Sequence, residues 1–278
     1  MTKNNEIIKP ILKYVGGKSK VLPDIKANMP SEYNRYFEPF LGGASVLLGI
    51  QPKSAIVNDI NFEVINLYRV VKNNPCELIE DLKKHVNEKE YYYSIRALDR
   101  DEELFAKLTA VERASRILYI NKTGFNGILR YSQKGYLNVP MGKYKNPNIV
   151  NEEGILKLSK YLNENDITIL NTDFIEACAD AKEGDFIYSD SPYIPISKTS
   201  DFTSYNADGF TIEDQIRLRD LALDLDKRGC KVMLSNSSAD MVYDLYRGFN
   251  IRHVEVARAI NSKGDGRGKI KEVLITNY

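Results

Sequence analysis

The chain has 278 residues, 43% apolar and 28% charged, with a formal net charge of +1, the make-up of an ordinary globular protein long enough for one or two domains. Two histidines, neither near a carboxylate or cysteine cluster, and three scattered cysteines (Cys76, Cys178, Cys230) make metal sites, disulfide frameworks and Ser-His-Asp chemistry poor fits. No stretch approaches the roughly 20 apolar residues that span a bilayer, and the opening MTKNNEIIKP has no apolar run, so a cytoplasmic, metal-free protein is expected.

In chain order, the first feature is KYVGGKSK at 13–20, a glycine pair between an aromatic residue and a lysine. It reads as a basic loop or an anion clamp and lacks the spacing of a P-loop. A short apolar strand is expected at 35–37, inside YFEPFLGGASVLL (36–48), where the glycine pair turns the chain into a helix beginning at Ala44. A second strand at 55–58 ends on IVNDIN, which puts Asp59 at a strand terminus, and Asn61 caps a helix with Val64, Ile65, Leu67, Tyr68 and Val71 on its apolar face. The alternation then breaks between about 75 and 160. Helices are expected at 77–87, 89–98 and 110–121, followed by a Gly-rich, aromatic, basic stretch with hairpin character over 125–140. Strands resume at 168–170, 185–189 and 231–235, with helices at 211–228 and 239–247 ended by Gly229 and Gly248. Two last strands, 251–257 and 271–276, are close enough to pair antiparallel through the Gly-rich NSKGDGRGK. Alternating strands and helices imply a parallel sheet covered by helices, interrupted by an insertion between its second and third strands.

The charge is unevenly spread. Residues 113–148 hold seven Lys or Arg and no acid, the first 20 hold five lysines against Glu6, and 252–271 hold six basic residues against two acidic ones. Such blocks are either solvated surface or a basic face for phosphates.

Three motifs carry chemistry if they meet at the C-terminal edge of the sheet. The turn FEPFLGG is a tight strand–helix turn or a cofactor loop, with Asp59 as an acid for a ribose diol; a dinucleotide loop of the G-x-G-x-x-G kind does not match. After the fourth strand comes YSDSPYIP (188–195). Its carboxylate Asp190, a backbone carbonyl beside a proline, and the ring of Tyr193 suit a planar base with an exocyclic amino group.

Together and in this order, these stretches resemble the Dam-type DNA adenine-N6 methyltransferases, which modify GATC, over nearly the whole chain. KYVGGK is similar to the family's K-W-A-G-G-K, with Tyr14 in the usual place of Trp. FEPFLGG resembles its cofactor motif, SDSPYIP its D-P-P-Y motif with Ser191 in place of proline, and NKTGFNGILRYSQKGYLNVPMGKYKNP its target-recognition hairpin. The resemblance implies an α/β fold: a Rossmann-like class I methyltransferase sheet, mostly parallel with an antiparallel last strand. Residues 1–60 and 161–278 would form the catalytic domain, and 61–160 a target-recognition domain of helices plus the hairpin 125–140. It implies S-adenosylmethionine, without a metal, held by Tyr14, Lys18, Phe40, Gly42, Asp59 and Asp190, with Asp173 reaching its adenine. It further implies that the target adenine would be flipped from the duplex, with Asp190 and the carbonyl of Ser191 holding its amino group, Pro192 stiffening the turn, Tyr193 stacking on the base, and Pro195 shaping the pocket.

By the same resemblance, on double-stranded GATC DNA Lys13 would contact the outer guanine and Arg130 the inner one. Phe125 and Asn126 would fill the gap left by the flipped base, and Ile128 and Pro140 would meet thymine methyls. The competing reading of Phe125, Ile128 and Pro140 is hairpin packing. For Ser235, Asn236 and Ser237 it is satisfied turn polar groups rather than contacts to the target strand. A monomer is expected. Ser191 also raises the alternative of a GATC-binding protein with weak or no catalysis.

Overall fold

The computed structural model describes residues 7–196, 209–257 and 269–278. The connection NSKGDGRGK, apart from Lys269, and the polar stretch after Ile196 lie outside them. The seven strands are β1 (Tyr36–Glu38), β2 (Ser54–Asn58), β3 (Asp166–Leu170), β4 (Phe186–Ser189), β5 (Lys231–Ser237), β6 (Asn250–Ala257) and β7 (Lys269–Thr276). They form one sheet in the order β3-β2-β1-β4-β5-β7-β6. The pairs β1–β2, β1–β4 and β4–β5 are parallel. β7 runs antiparallel to both β5 and β6 and is inserted between them. The expected Rossmann-like, mostly parallel sheet with an antiparallel last strand is therefore present. β1 and β4 are buried along their whole length, as strands covered on both faces must be. Because β1, β2, β4 and β5 are parallel, their C-terminal ends share one edge.

The chain divides into two compact units. One comprises Met1–Lys18, Gly42–Lys53 and Asp59–Asn171; the other comprises Ser19–Leu41, Ser54–Asn58 and Thr172–Tyr278. The 61–160 stretch lies within the first unit, which also takes in the N-terminal motif as far as Lys18 and the residues Gly42–Lys53.

Among the described residues, the first unit holds α2 (Ser45–Ile50), α3 (Phe62–Asn73), α4 (Pro75–Leu82), α5 (Lys89–Ala97), α6 (Glu102–Lys107), α7 (Ala110–Thr123) and α8 (Glu152–Glu164); α1 (Leu22–Asn28) belongs to the second. Asn61 caps α3 as expected, its side chain accepting from the Glu63 and Val64 N–H groups. Thr109 and Glu112 form a reciprocal capping box at the start of α7. The hairpin is held by two isolated bridges, Gly124↔Met141 and Tyr131↔Leu137, rather than by regular strands. It opens with a 3₁₀ turn at Phe125–Gly127, in which Asn126 takes a left-handed φ of 58°, a conformation asparagine tolerates better than other non-glycine residues.

The basic block is less available than its composition suggested. Arg113 pairs with Glu63; Arg116 is buried against Asp99 at 2.9 Å and donates to the carbonyls of Ile95 and Arg96; Lys122 donates to the Ile11 carbonyl. Arg130, Lys134, Lys143 and Lys145 remain exposed.

His85 lies beneath this unit's aromatic residues, stacked on Tyr119 with centroids 4.4 Å apart and bonded to Tyr91 Oη (2.8 Å) and Ser115 Oγ (3.0 Å). Burial lowers its pKa from 6.5 to about 4, with Lys84 adding to the shift and Asp81 opposing it. The unfolded chain therefore takes up a proton at His85 that the folded one refuses, and stability is lost as pH falls through 6.5 toward about 4. Allowing for partial exposure, we expect His85 to account for about 2 kcal/mol of the loss. Urea melts of the wild type and His85→Phe at pH 7 and pH 4.5 check this, with a smaller acid loss in the variant. Equal losses in both proteins would remove His85 as the cause.

In the second unit, α9 (Phe174–Ala177), α10 (Ile212–Lys227) and α11 (Asp240–Leu245) accompany β4 to β7. α10 starts with a Thr211–Asp214 capping box and buries Gln215, Leu218, Leu221, Ala222 and Leu225 against a core that includes Ile187, Val232, Leu234 and Ile275.

Candidate functional site

In the first unit, three of the expected cofactor residues meet. Gly42 (φ +46°) and Ala44 (φ 55°) both take left-handed backbone, which turns the chain sharply into α2. The Gly42 N–H donates to Asp59 Oδ2 at 2.8 Å, and Asp59 Oδ1 accepts from the Asn61 N–H at 2.9 Å. Tyr14, 37% exposed, lies across the glycine pair: a Cβ at Gly42 would sit 2.9 Å from Tyr14 Cδ1, and one at Gly43 2.9 Å from Tyr14 Cβ. The glycines are thus required by the close approach of the aromatic ring. Burial raises the Asp59 carboxyl above its ordinary range, against the pull of its two N–H donors. Each of its oxygens retains a second lone pair for a hydroxyl donor. Lys18 is buried, with Nζ 2.7 Å from the Gly16 carbonyl.

The same unit carries the expected DNA-reading residues. Phe125 is 51% exposed, and Asn126, Arg130 and Pro140 are exposed as well. Hairpin packing therefore does not account for Phe125 or Pro140, whereas Ile128 is half-buried. Arg130 Nε donates to Asn138 Oδ1 (2.7 Å) and Nη2 to the Asn138 carbonyl (3.1 Å), latching the guanidinium across the hairpin. Lys13 holds its ammonium 5.3 Å from the Tyr144 ring centroid. The first residue of the hairpin motif, given no role from the sequence, is a structural tie: Asn121, fully buried on α7, accepts from the Lys13 N–H (2.9 Å) and donates to the carbonyls of Lys13 (2.8 Å) and Gly127 (2.6 Å). One amide thus ties the Lys13 backbone to the root of the hairpin. Its sequence signal is a polar side chain on a helix face otherwise filled by Ala114, Ile117 and Leu118.

In the second unit, Asp190 follows β4 and is half-buried. Tyr193 Oη donates to Glu272 Oε2 at 2.8 Å. Burial, then the charges of Asp190 and Glu272, pushes the Tyr193 phenol well above its ordinary value, so it stays a neutral donor. Glu272 lies 79 positions away and carries no local signal. The backbone after Asp190 is pinned. Pro192 is exposed, but its carbonyl accepts from Gln215 Nε2 at 2.7 Å. The Ile194 N–H donates to Asn236 Oδ1 at 3.0 Å, and its carbonyl accepts from Ser237 Oγ. Ser235 Oγ pairs with Tyr188 Oη at 2.7 Å. Ser235, Asn236 and Ser237 lie not in a turn but in the last three positions of β5, paired with β7, and all three are buried with their polar groups bonded within the fold. Ser191 is 3% exposed, and its hydroxyl has no partner among the described residues. Pro195 is half-buried.

Asp173 and Phe40 also lie in this unit. Asp173 caps α9 through the Ile175 N–H (2.9 Å) and pairs with Arg217 at 2.9 Å. Phe40 forms an aromatic trio with Phe174 and Phe210, at centroid distances of 5.3 and 5.7 Å. Among the described residues, no group of three or more His, Cys, Asp or Glu could hold a metal ion, and no helix is long and apolar enough to cross a membrane.

Comparison with known proteins assigns the chain. The family model of the D12 class N6 adenine-specific DNA methyltransferases matches residues 14–260. The type II methyltransferase M1.LlaDCHI of Lactococcus lactis subsp. cremoris is 48% identical, covering 100% of this chain and 98% of its own length. The type II methyltransferase M.MjaIII of Methanocaldococcus jannaschii is 40% identical over 98% of this chain and 99% of its own, and the DNA adenine methylase of Escherichia coli K12 is 33% identical over 95% and 93%. With a family model matched over most of its length and relatives at 33–48% identity along nearly their whole chains, the chain belongs to the D12 class of N6 adenine-specific DNA methyltransferases.

Proposed function

We propose that this enzyme transfers a methyl group from S-adenosylmethionine to the N6 amino group of adenine in double-stranded GATC, acting as a cytoplasmic monomer. The observation that carries the reading of GATC is the hairpin: it resembles the Dam-type reader along NKTGFNGILRYSQKGYLNVP and turns Phe125, Arg130 and Pro140 outward. In the first unit, Tyr14, Lys18, Gly42 and Asp59 would bind the cofactor. The glycine turn with its buried acid suits a ribose diol, which donates to a carboxylate whose oxygens keep spare lone pairs. In the second unit, Phe40, Asp173 and Asp190 would complete the set. The cofactor supplies an electrophilic methyl on a sulfonium.

The protein's part is to bind and orient. Residues 61–160 form the target-recognition domain, with Lys13 joining it. Lys13 and Arg130 each take a guanine, Ile128 and Pro140 the thymine methyls, and Phe125 with Asn126 the gap left by the extruded adenine. Asp190 and the Ser191 carbonyl accept the two N–H bonds of the target amino group, which raises electron density on a poor nucleophile; Tyr193 stacks on the base. Ser191 contributes a carbonyl, which any residue has, so the serine is compatible with turnover.

Plasmid from cells expressing the protein is expected to resist a nuclease that cuts only unmethylated GATC. Complete cutting despite soluble, folded protein refutes the assignment.

A further inference from the structure

Ser191 stands where the family motif has proline, and proline's fixed φ would hold the carbonyl that we assign to the target amino group. The described structure instead restrains the backbone on either side of that carbonyl. Upstream, β4 is registered on β5 through Ser189↔Leu234. Downstream, the Pro192 ring sets its own φ and confines Ser191 to extended ψ. The ψ of Pro192, which no ring controls, is set by the bond from Gln215 Nε2 to the Pro192 carbonyl (2.7 Å). Gln215 is 0% exposed, and its Oε1 accepts from Asn236 Nδ2 at 3.3 Å. Asn236 in turn takes the Ile194 N–H, and Ser237 donates to the Ile194 carbonyl. The segment around Asp190 is therefore fastened by a strand at one end and by a buried amide relay at the other, with no ring to restrain Ser191 φ between them.

We infer that Gln215 is a positioning residue that holds the Ser191–Tyr193 backbone in the conformation a second proline would otherwise enforce. The inference rests on the role proposed above for Asp190 and Ser191. Its consequence is coupling: the bond from Gln215 should matter more with serine at 191 than with proline.

A double-mutant cycle tests it, with Gln215→Met, which keeps volume and removes the donor, and Ser191→Pro, made singly and together. Initial rates on GATC duplexes give kcat and both KM values, and thermal melts report folding. With Ser191 present, Gln215→Met should lower kcat about tenfold with both KM values within about twofold; with proline at 191 the loss should shrink to about threefold or less. Should Gln215→Met fail to fold, Ser237→Ala, which cuts the other end of the relay, is put through the same cycle and must show the same rescue by proline. Equal losses in both backgrounds, or no loss in either, overturn the inference. Asp190→Ala separates the two failures: an active Asp190→Ala enzyme refutes the underlying site, whereas an inactive one without coupling refutes only the role of Gln215.

Discussion

Asp190→Ala is expected to lower kcat about a thousandfold while leaving KM for DNA within a few-fold, because the group acts on charge that develops only during transfer. The attacking amino nitrogen starts neutral and becomes cationic as it takes the methyl, so a carboxylate beside it gains interaction in the transition state that it lacks in the ground state. Tyr188 and Tyr193 both have phenols pushed well above their ordinary range, by burial first and by the Asp190 charge second. Losing one preorganised electrostatic partner of this kind is worth about 3–4 kcal/mol. Asp190→Asn keeps one acceptor but loses the charge and turns a donor toward a donor, so it should recover less than a tenth of the activity. Single-turnover methyl transfer on a GATC duplex measures both variants. If Asp190→Ala kept more than a tenth of the parental rate, the strand-end carboxylate would not be the group that holds the amine.

The parts of the candidate site that were legible in the sequence sit where a strand ends and a constrained turn begins. Gly42 and Asp59 are an instance: the glycine is forced by the Tyr14 ring 2.9 Å from a hypothetical Cβ, and the acid by the N–H it accepts. Such requirements act on residue type at a fixed position in the chain, so they leave a pattern. The partners that hold the motifs do not. Gln215 and Asn121 are polar residues on otherwise apolar helix faces, and what each binds lies 23 residues (Pro192) or 108 residues (Lys13) away. The free charge of a segment is likewise hidden from its composition. Composition does not distinguish Arg116, buried against Asp99, from Arg130 on the exposed hairpin, because pairing is a property of the fold. The strands themselves were visible as short apolar runs, while the insertion of β7 between β5 and β6 depends on long-range pairing that no local run encodes.

Arg130→Ala should cost about 1–3 kcal/mol of discrimination at one guanine of the site and leave the other positions strict. What sets this cost is how the side chain is presented. A lone exposed arginine would lose considerable rotamer entropy on docking, but Arg130 is already latched: Nε and Nη2 are bonded to the side chain and carbonyl of Asn138. The guanidinium plane is thereby fixed before DNA arrives, with its other N–H groups available for the O6 and N7 of guanine. Preorganisation of this kind favours affinity by removing an ordering cost. Arg130→Lys should not restore discrimination, because an ammonium lacks both the fork and the geometry to keep the Asn138 latch. Asn138→Ala should instead give an intermediate phenotype, with the fork intact but unlatched. The measurement is kcat/KM on GATC and on duplexes changed at each position in turn. If Arg130→Ala still rejected changes at every position as well as the parent, the hairpin arginine would be a structural latch for Asn138 and not a reader of bases.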